Sequence, residues 1–237
     1  MPLPSRIPRL SRSLARDQIR SRIQSWIVEG ALRPEEPIND KEIAAAFGVS
    51  RMPVREALRT LEDQGFVETS LNRWTRVAPL RPEQAEHLYS IVARLEELAM
   101  ETAFPILSGE DLHRLAEAMD DFGHAAEESS SPKALRADTA FHSVWVQRAG
   151  NPDLACILSQ CRSKLMRIEL EYFQSAADLW SSLREHERII KALEAVDLVA
   201  VLSELKSHWQ SSVDRCMARA KQREVVNLKD KSRHESH

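Results

Sequence analysis

The chain has 237 residues, 43% of them hydrophobic and 29% charged, a balance that suits a globular protein with a buried core and leaves room for two modest domains. Its 6 glycines never reach the G-x-G or G-x-x-x-x-G-K spacing of a phosphate cradle, which speaks against Rossmann and P-loop nucleotide sites. The net charge of -3 averages two unlike parts: residues 1–80 carry 13 Lys/Arg against 10 Asp/Glu, or +3, and the remainder balances to -6. A small basic unit on an acidic body suits a module that meets phosphates. No apolar run approaches the roughly 18 residues that span a bilayer. Arg6, Arg9 and Arg12 are followed by no apolar signal stretch, so no membrane association and a cytoplasmic protein are expected. The cysteines, Cys156, Cys161 and Cys216, lack C-x-x-C spacing, which argues for buried or idle thiols over disulfides or a cysteine-built zinc site.

The first predicted helix runs from Ser13 to Glu29, with Ile19, Ile23, Trp26 and Ile27 on one face and Gly30 as its stop. After a turn at Arg33–Pro37, Asn39 caps a short helix to Phe47. Gly48-Val49-Ser50 turns the chain into a third helix, capped by Ser50 and carrying Pro53 in its first turn, which ends at Gly65. Residues 66–69 and 73–77 read as two short strands around Ser70-Leu71-Asn72. Beyond Pro79–Pro82 every segment reads as helix. Residues 82–104 repeat Leu88, Ile91, Leu95 and Leu98 as the expected core stripe, and Ser108 caps the next helix with Asp111 three residues on. Four further helices are predicted over residues 133–149, 153–173, 177–195 and 198–223, followed by a polar tail. The fold class is therefore mostly α: a helix, helix, turn, helix, hairpin unit, then an all-α antiparallel bundle of six or seven helices.

In a helix-turn-helix the second helix enters the major groove with its opening residues at the base edges. Here that helix opens Ser50-Arg51-Met52-Pro53-Val54-Arg55, with Arg51 and Arg55 one turn apart and pointing the same way. A guanidinium fork pairs bidentately with guanine O6 and N7 or with phosphate oxygens. Spacing alone leaves two solvated surface arginines equally open.

The stretch from Ile23 to Val77 resembles the winged helix-turn-helix of the GntR family of transcription regulators. The residues that carry the likeness are Gly30-Ala31-Leu32-Arg33-Pro34, Lys41-Glu42-Ile43-Ala44, the run from Gly48 through Leu61, and Gly65-Phe66-Val67. The resemblance implies main DNA contacts from Arg51 and Arg55, a flanking contact from Lys41, a backbone contact from Ser50 and a wing contact from Arg73. It departs from the family at Met52, where threonine is usual and where an apolar contact to a thymine methyl replaces a hydroxyl. It departs again at the wing, where Trp74 stands in a region that usually carries glycine.

Asp138 and His142, four residues apart on one helix face, have the spacing that lets two side chains converge on one ion. His186 and His208 come from two later helices. Histidines in a chain with eight of them are more often core or surface residues than ligands, so spacing leaves the site open. From Leu80 to about Met217 the chain resembles the FCD ligand-binding domain of the FadR subfamily, on Arg94-Leu95-Glu96, Asp138-Thr139-Ala140-Phe141-His142, Gly150-Asn151, Glu185-His186 and His208. That likeness implies a divalent metal held by Asp138, His142, His186 and His208, zinc foremost with nickel or manganese as alternatives, and a small carboxylic-acid effector at its open positions. It also implies an effector contact from Arg94, whose alternative is a salt bridge to Glu97 or Glu101. Trp145, three residues beyond His142, is expected to line the site; Trp180 and Trp209 fit core packing better.

The expected organisation is a disordered basic arm over residues 1–12, a winged DNA-binding domain over 13–79, an FCD-like bundle over 80–223 and a polar tail over 224–237. The expected function is a homodimeric repressor on a palindromic operator in double-stranded DNA, not an enzyme. A metalloenzyme, or a protein whose metal is purely structural, is the alternative reading.

Overall fold

The computed structural model describes residues 12–70, 73–172 and 175–234. The expected basic arm lies outside these apart from Arg12, as do Leu71 and Asn72 between the two strands. The chain divides into two units, Met1–Leu80 and Arg81–His237.

The first unit contains α1 (Arg12–Val28), α2 (Asp40–Phe47), α3 (Arg51–Asp63) and the antiparallel strands β1 (Val67–Ser70) and β2 (Trp74–Val77). Helix α1 packs on α3, and the i, i+4 spacing of Ile19, Ile23 and Ile27 puts all three in the core beside Val54, Ala57, Leu58 and Leu61. Asn39 caps α2 by accepting from the Lys41 N–H. Gly48 ends α2 at φ +63, a left-handed conformation in which its N–H reaches the Ala44 and Ala45 carbonyls and which a side chain would strain. Ser50 stands at the N-cap of α3 as expected, but its side chain makes no capping bond.

The turn before α2 does more than reverse the chain. Ile38 N–H donates to the Thr75 carbonyl at 2.7 Å, Glu35 N–H to Val77 at 3.0 Å, and Val77 N–H to Glu36 at 2.9 Å. The wing is thereby tied to the turn before α2.

Among its described residues the second unit is helical, with α4 (Glu83–Ala103), a 3-10 turn at Phe104–Ile106, α5 (Gly109–Glu127), α6 (Ser131–Arg148), α7 (Pro152–Tyr172), α8 (Ala176–Glu194) and α9 (Leu198–His234). Helix α9 thus continues into the stretch expected as a polar tail, as far as His234. Ser108 and Asp111 form a reciprocal capping box at the start of α5. Burial would raise the Asp111 carboxyl, but bonds from Arg148 and Ser108 outweigh it and hold the group at about 2. Helices α5 with α6, α8 with α9, and α4 with both α7 and α9 are neighbours. Phe122, Ala125, Ala126, Ala134, Ala137, Leu179 and Leu183 form an apolar layer joining α5, α6 and α8.

Helix α4 is rotated from its predicted register, with Leu88 and Leu95 at the edge of the buried face. Ile91 and Leu98, half of the expected core stripe, are 45% and 48% exposed, while Ala85, Tyr89, Val92, Glu96, Ala99, Met100 and Ala103 are buried. Both faces repeat at helical spacing, and the inward one includes a carboxylate whose partners lie on distant helices. Large apolar residues therefore lie on both faces of α4, Tyr89, Val92 and Met100 inward and Ile91 and Leu98 outward.

Candidate DNA-reading face and metal centre

On the outer face of α3 the Arg51 and Arg55 side chains are 44% and 62% exposed. Both close on Asp40, the first residue of α2. Arg51 Nη2 lies 3.0 and 2.9 Å from the two carboxylate oxygens, and Arg55 Nε donates to Oδ2 at 2.7 Å. A groove of about 730 Å³ between α3 and the wing is lined by Asp40, Arg51, Arg55, Arg59, Arg73 and Trp74, among others. Of the sequence-derived DNA contacts, Arg51, Arg55 and Arg73 line this groove. Lys41, Ser50 and Met52 are exposed outside its lining. Trp74 does not stand alone at the wing, because the Arg76 guanidinium stacks 4.4 Å from its ring centre. Asp40 escaped sequence reasoning: a carboxylate in a first helical turn reads as a helix-dipole partner, and its arginines lie 11 and 15 residues away.

In the bundle, α6 supplies Asp138 and His142, α8 supplies His186 and α9 supplies His208. One ligand atom from each of the four lies within 4.8 Å of the others, and all four residues are buried. His142 Nε2 is 3.2 Å from His186 Nε2, and His186 Nε2 is 3.2 Å from Asp138 Oδ1. The remaining nitrogens point outward to acceptors. His142 Nδ1 meets Glu96 Oε2 at 2.5 Å, His186 Nδ1 the Ser182 carbonyl at 2.8 Å, and His208 Nδ1 Glu185 Oε2 at 2.9 Å.

A backbone carbonyl only accepts, so His186 carries its proton on Nδ1 and, when neutral, turns a lone pair inward. The Glu185 carboxylate sets His208 the same way, and Glu96 holds His142 Nδ1 from behind, the kind of outer support that orients histidine for a metal. Burial drives the His142 imidazole well below its usual range and His208 to about 4, despite the opposing carboxylates, so both are neutral at pH 7. His208 Nε2 is buried without a hydrogen-bond partner and faces the other donors, an orphaned position that a cation would fill. A divalent ion fits this donor set, and the cluster can hold one.

Around the centre runs an ionic network that sequence reasoning missed. Arg162 of α7 bonds both Asp138 Oδ2 and, at 3.0 Å, Glu96 Oε1. Burial would raise Asp138, but the charge of Arg162 outweighs it and holds the carboxylate well below its usual range. Glu96 has no exposed surface, and burial lifts it to about 8. Arg215 clasps Glu185 at 2.5 and 3.0 Å, fixing the acceptor behind His208. Tyr89 donates to Glu169 at 2.6 Å. The only advance signals were that Glu96 and Glu185 fall inside quoted motifs.

The Arg94 side chain is 76% exposed and bonds Glu97 at 2.6 Å, the salt bridge given above as its alternative. It shares the outward face of α4 with Ile91 and Leu98, whereas Arg162 is the cation that meets Asp138. Trp145 is fully buried and packs with its ring centre 4.9 Å from that of His142. Trp209 belongs there too, 4.8 Å from both His142 and His208. The cavity beside Asp138 and His208 holds about 30 Å³, room for a water and far below the hundreds of Å³ of a typical ligand pocket.

Residues 15–77 match the family described as bacterial regulatory proteins, gntR family, and residues 87–211 match the FCD domain. The chain is 31% identical over 193 residues to the "Probable D-xylose utilization operon transcriptional repressor" of Paenarthrobacter nicotinovorans, covering 80% of this chain and 83% of that one. It is 25% identical to the HTH-type transcriptional regulator YdhC of Bacillus subtilis, over 81% of this chain and 86% of that one. Among solved structures, E. coli McbR/YncC has the same fold, with a TM-score of 0.77 at 21% identity over 87% of this chain and 98% of that one. These relatives are regulators, not enzymes. Among the described residues no helix is long and apolar enough to cross a membrane. The chain belongs to the gntR family of bacterial transcription regulators and joins that family's DNA-binding unit to an FCD domain.

Proposed function

We propose that this chain is a cytoplasmic, FadR-subfamily repressor whose affinity for a palindromic operator is set by a small carboxylic acid at a metal in the bundle. In this reading residues 13–79 bind DNA and residues 80–223 sense the effector. The observation that carries it is the convergence of three imidazoles and one carboxylate, each imidazole held from behind, in a chain that also presents two arginines from a helix-turn-helix. Three nitrogen donors and one oxygen favour zinc, with nickel or manganese next, over magnesium or calcium. When bound, the ion supplies a Lewis-acid position for a carboxylate. Arg162 and Trp145 flank it, and the coupling is the difference in effector affinity between DNA-competent and DNA-incompetent states.

Arg51 and Arg55 read base edges or clamp phosphates, with Lys41, Ser50, Met52 and Arg73 in flanking contacts. Arg51→Ala and Arg55→Ala are each expected to weaken binding to a duplex selected from a randomised library by about 1 to 3 kcal/mol. Unchanged gel-shift affinity in both would remove α3 from the reading role.

The outward face of α4 supports a homodimer, because Ile91 and Leu98 are exposed on it, and Ile157 is exposed on neighbouring α7. The double variant Ile91→Asp, Leu98→Asp is expected to sediment as a monomer and to lose most operator affinity. A dimer that persists puts the interface elsewhere. The small cavity favours a second reading, a metal that only holds the bundle together. Chelation then unfolds the protein, whereas the sensor reading expects a folded apo form deaf to carboxylates.

A further inference from the structure

Asp40 stands where a DNA-binding surface is least expected to hold a carboxylate. Its side chain is 18% exposed, it lines the groove between α3 and the wing, and it bonds both reading arginines at once. Burial would raise its carboxyl, but the Arg55 and Arg51 bonds hold it below its usual value, so it is charged at neutral pH.

We infer that Asp40 is a specificity-determining residue, which holds Arg51 and Arg55 as a fixed pair and biases them toward base edges over backbone phosphates. This rests on the reading of α3 as the DNA-reading helix. Two guanidiniums one helical turn apart repel, and each side chain has several rotatable bonds to order; a carboxylate bridging them removes the repulsion and narrows the rotamers. It also leaves one net positive charge where there were two. A phosphate approaching Arg51 or Arg55 meets the like charge of Asp40, whereas guanine O6 and N7 are neutral acceptors and meet no such penalty. Non-specific binding comes almost wholly from phosphate neutralisation, so it is the component that Asp40 suppresses most.

The test uses the full chain as purified. A duplex selected by the wild-type protein from a randomised library and a random-sequence duplex are titrated across a salt series with wild type, Asp40→Asn and Asp40→Ser. Both variants are expected to bind the random duplex about 3- to 10-fold more tightly at low salt, with a log–log salt slope steeper by about 1. The preference for the selected duplex is expected to fall by at least the same factor. Folded variants that keep the wild-type preference within about twofold, whatever their melting temperature, overturn the inference, because a residue that merely clamps α2 to α3 moves stability without moving the ratio. Arg51→Ala and Arg55→Ala run alongside. If neither changes binding to either duplex, the reading of α3 has failed; if they weaken it and Asp40→Asn leaves the ratio alone, only the role given to Asp40 has failed.

Discussion

Zinc added to the metal-free protein is expected to raise its melting temperature by about 5 to 10 °C at 100 times the dissociation constant, and His142→Ala is expected to abolish that rise. A ligand at that excess contributes about 2.7 kcal/mol, and domains of this size gain about 2 to 4 °C per kcal/mol. His142 is the best position to test because it touches every part of the centre. Its Nε2 faces His186 Nε2 at 3.2 Å, its Nδ1 meets Glu96 at 2.5 Å, and its ring packs against Trp145 and Trp209. Alanine removes a donor and the group that turns Glu96 to the centre, so zinc affinity measured by competition with a chelating dye is expected to fall at least about 100-fold. His124, exposed on α5, is the control, and His124→Ala is expected to keep the full rise. The same assay reads the effector: a carboxylic acid that acts through the metal raises the melting point further only when zinc and His142 are both present. A zinc-dependent rise that survives in His142→Ala would remove this cluster as the metal's seat.

Arg162→Ala is expected to destabilise the metal-free bundle by about 3 to 5 kcal/mol, read as a fall in the urea midpoint at constant slope. The Arg162 side chain is 13% exposed and bonds two carboxylates, Asp138 and the fully buried Glu96. Removing the cation leaves two acidic groups in a low-dielectric interior with no arginine to balance them, and the cost of an uncompensated buried charge exceeds that of a lost surface pair several-fold. Arg94→Ala is the comparison. Its ion pair with Glu97 is 76% exposed at the arginine, and surface pairs contribute about 0 to 1 kcal/mol before further loss to solvent screening. Zinc is expected to recover part of the Arg162→Ala loss, because a cation at the four donors again balances Asp138. Equal effects of the two substitutions would mean that the buried network carries little stability.

The helix order of both units, the wing hairpin and the α5 capping box could be read directly from the chain, because they depend on residues close in sequence. Gly48 turns α2 into α3, Asn39 caps within two residues, and Ser108 with Asp111 closes a box across three. The four donors were also legible, two from i, i+4 spacing and all four from the family likeness, since a helix carries such pairs on one face whatever surrounds it. Local periodicity could not say which face of α4 turns inward. That choice depends on Arg162, 66 residues beyond Glu96, which makes burial of a carboxylate tolerable and leaves Ile91 and Leu98 outside. Nor could it show that Asp40 reaches across the turn to Arg51 and Arg55, or that the cation beside Asp138 is Arg162 rather than Arg94. The sequence by itself determined the order of the helices, where most of them begin and end and which side chains share a face, because those depend on near neighbours and a fixed helical period. Only the tertiary structure decided which faces are buried and which charges meet, because desolvation and Coulomb energies depend on distances between residues that the chain order leaves far apart.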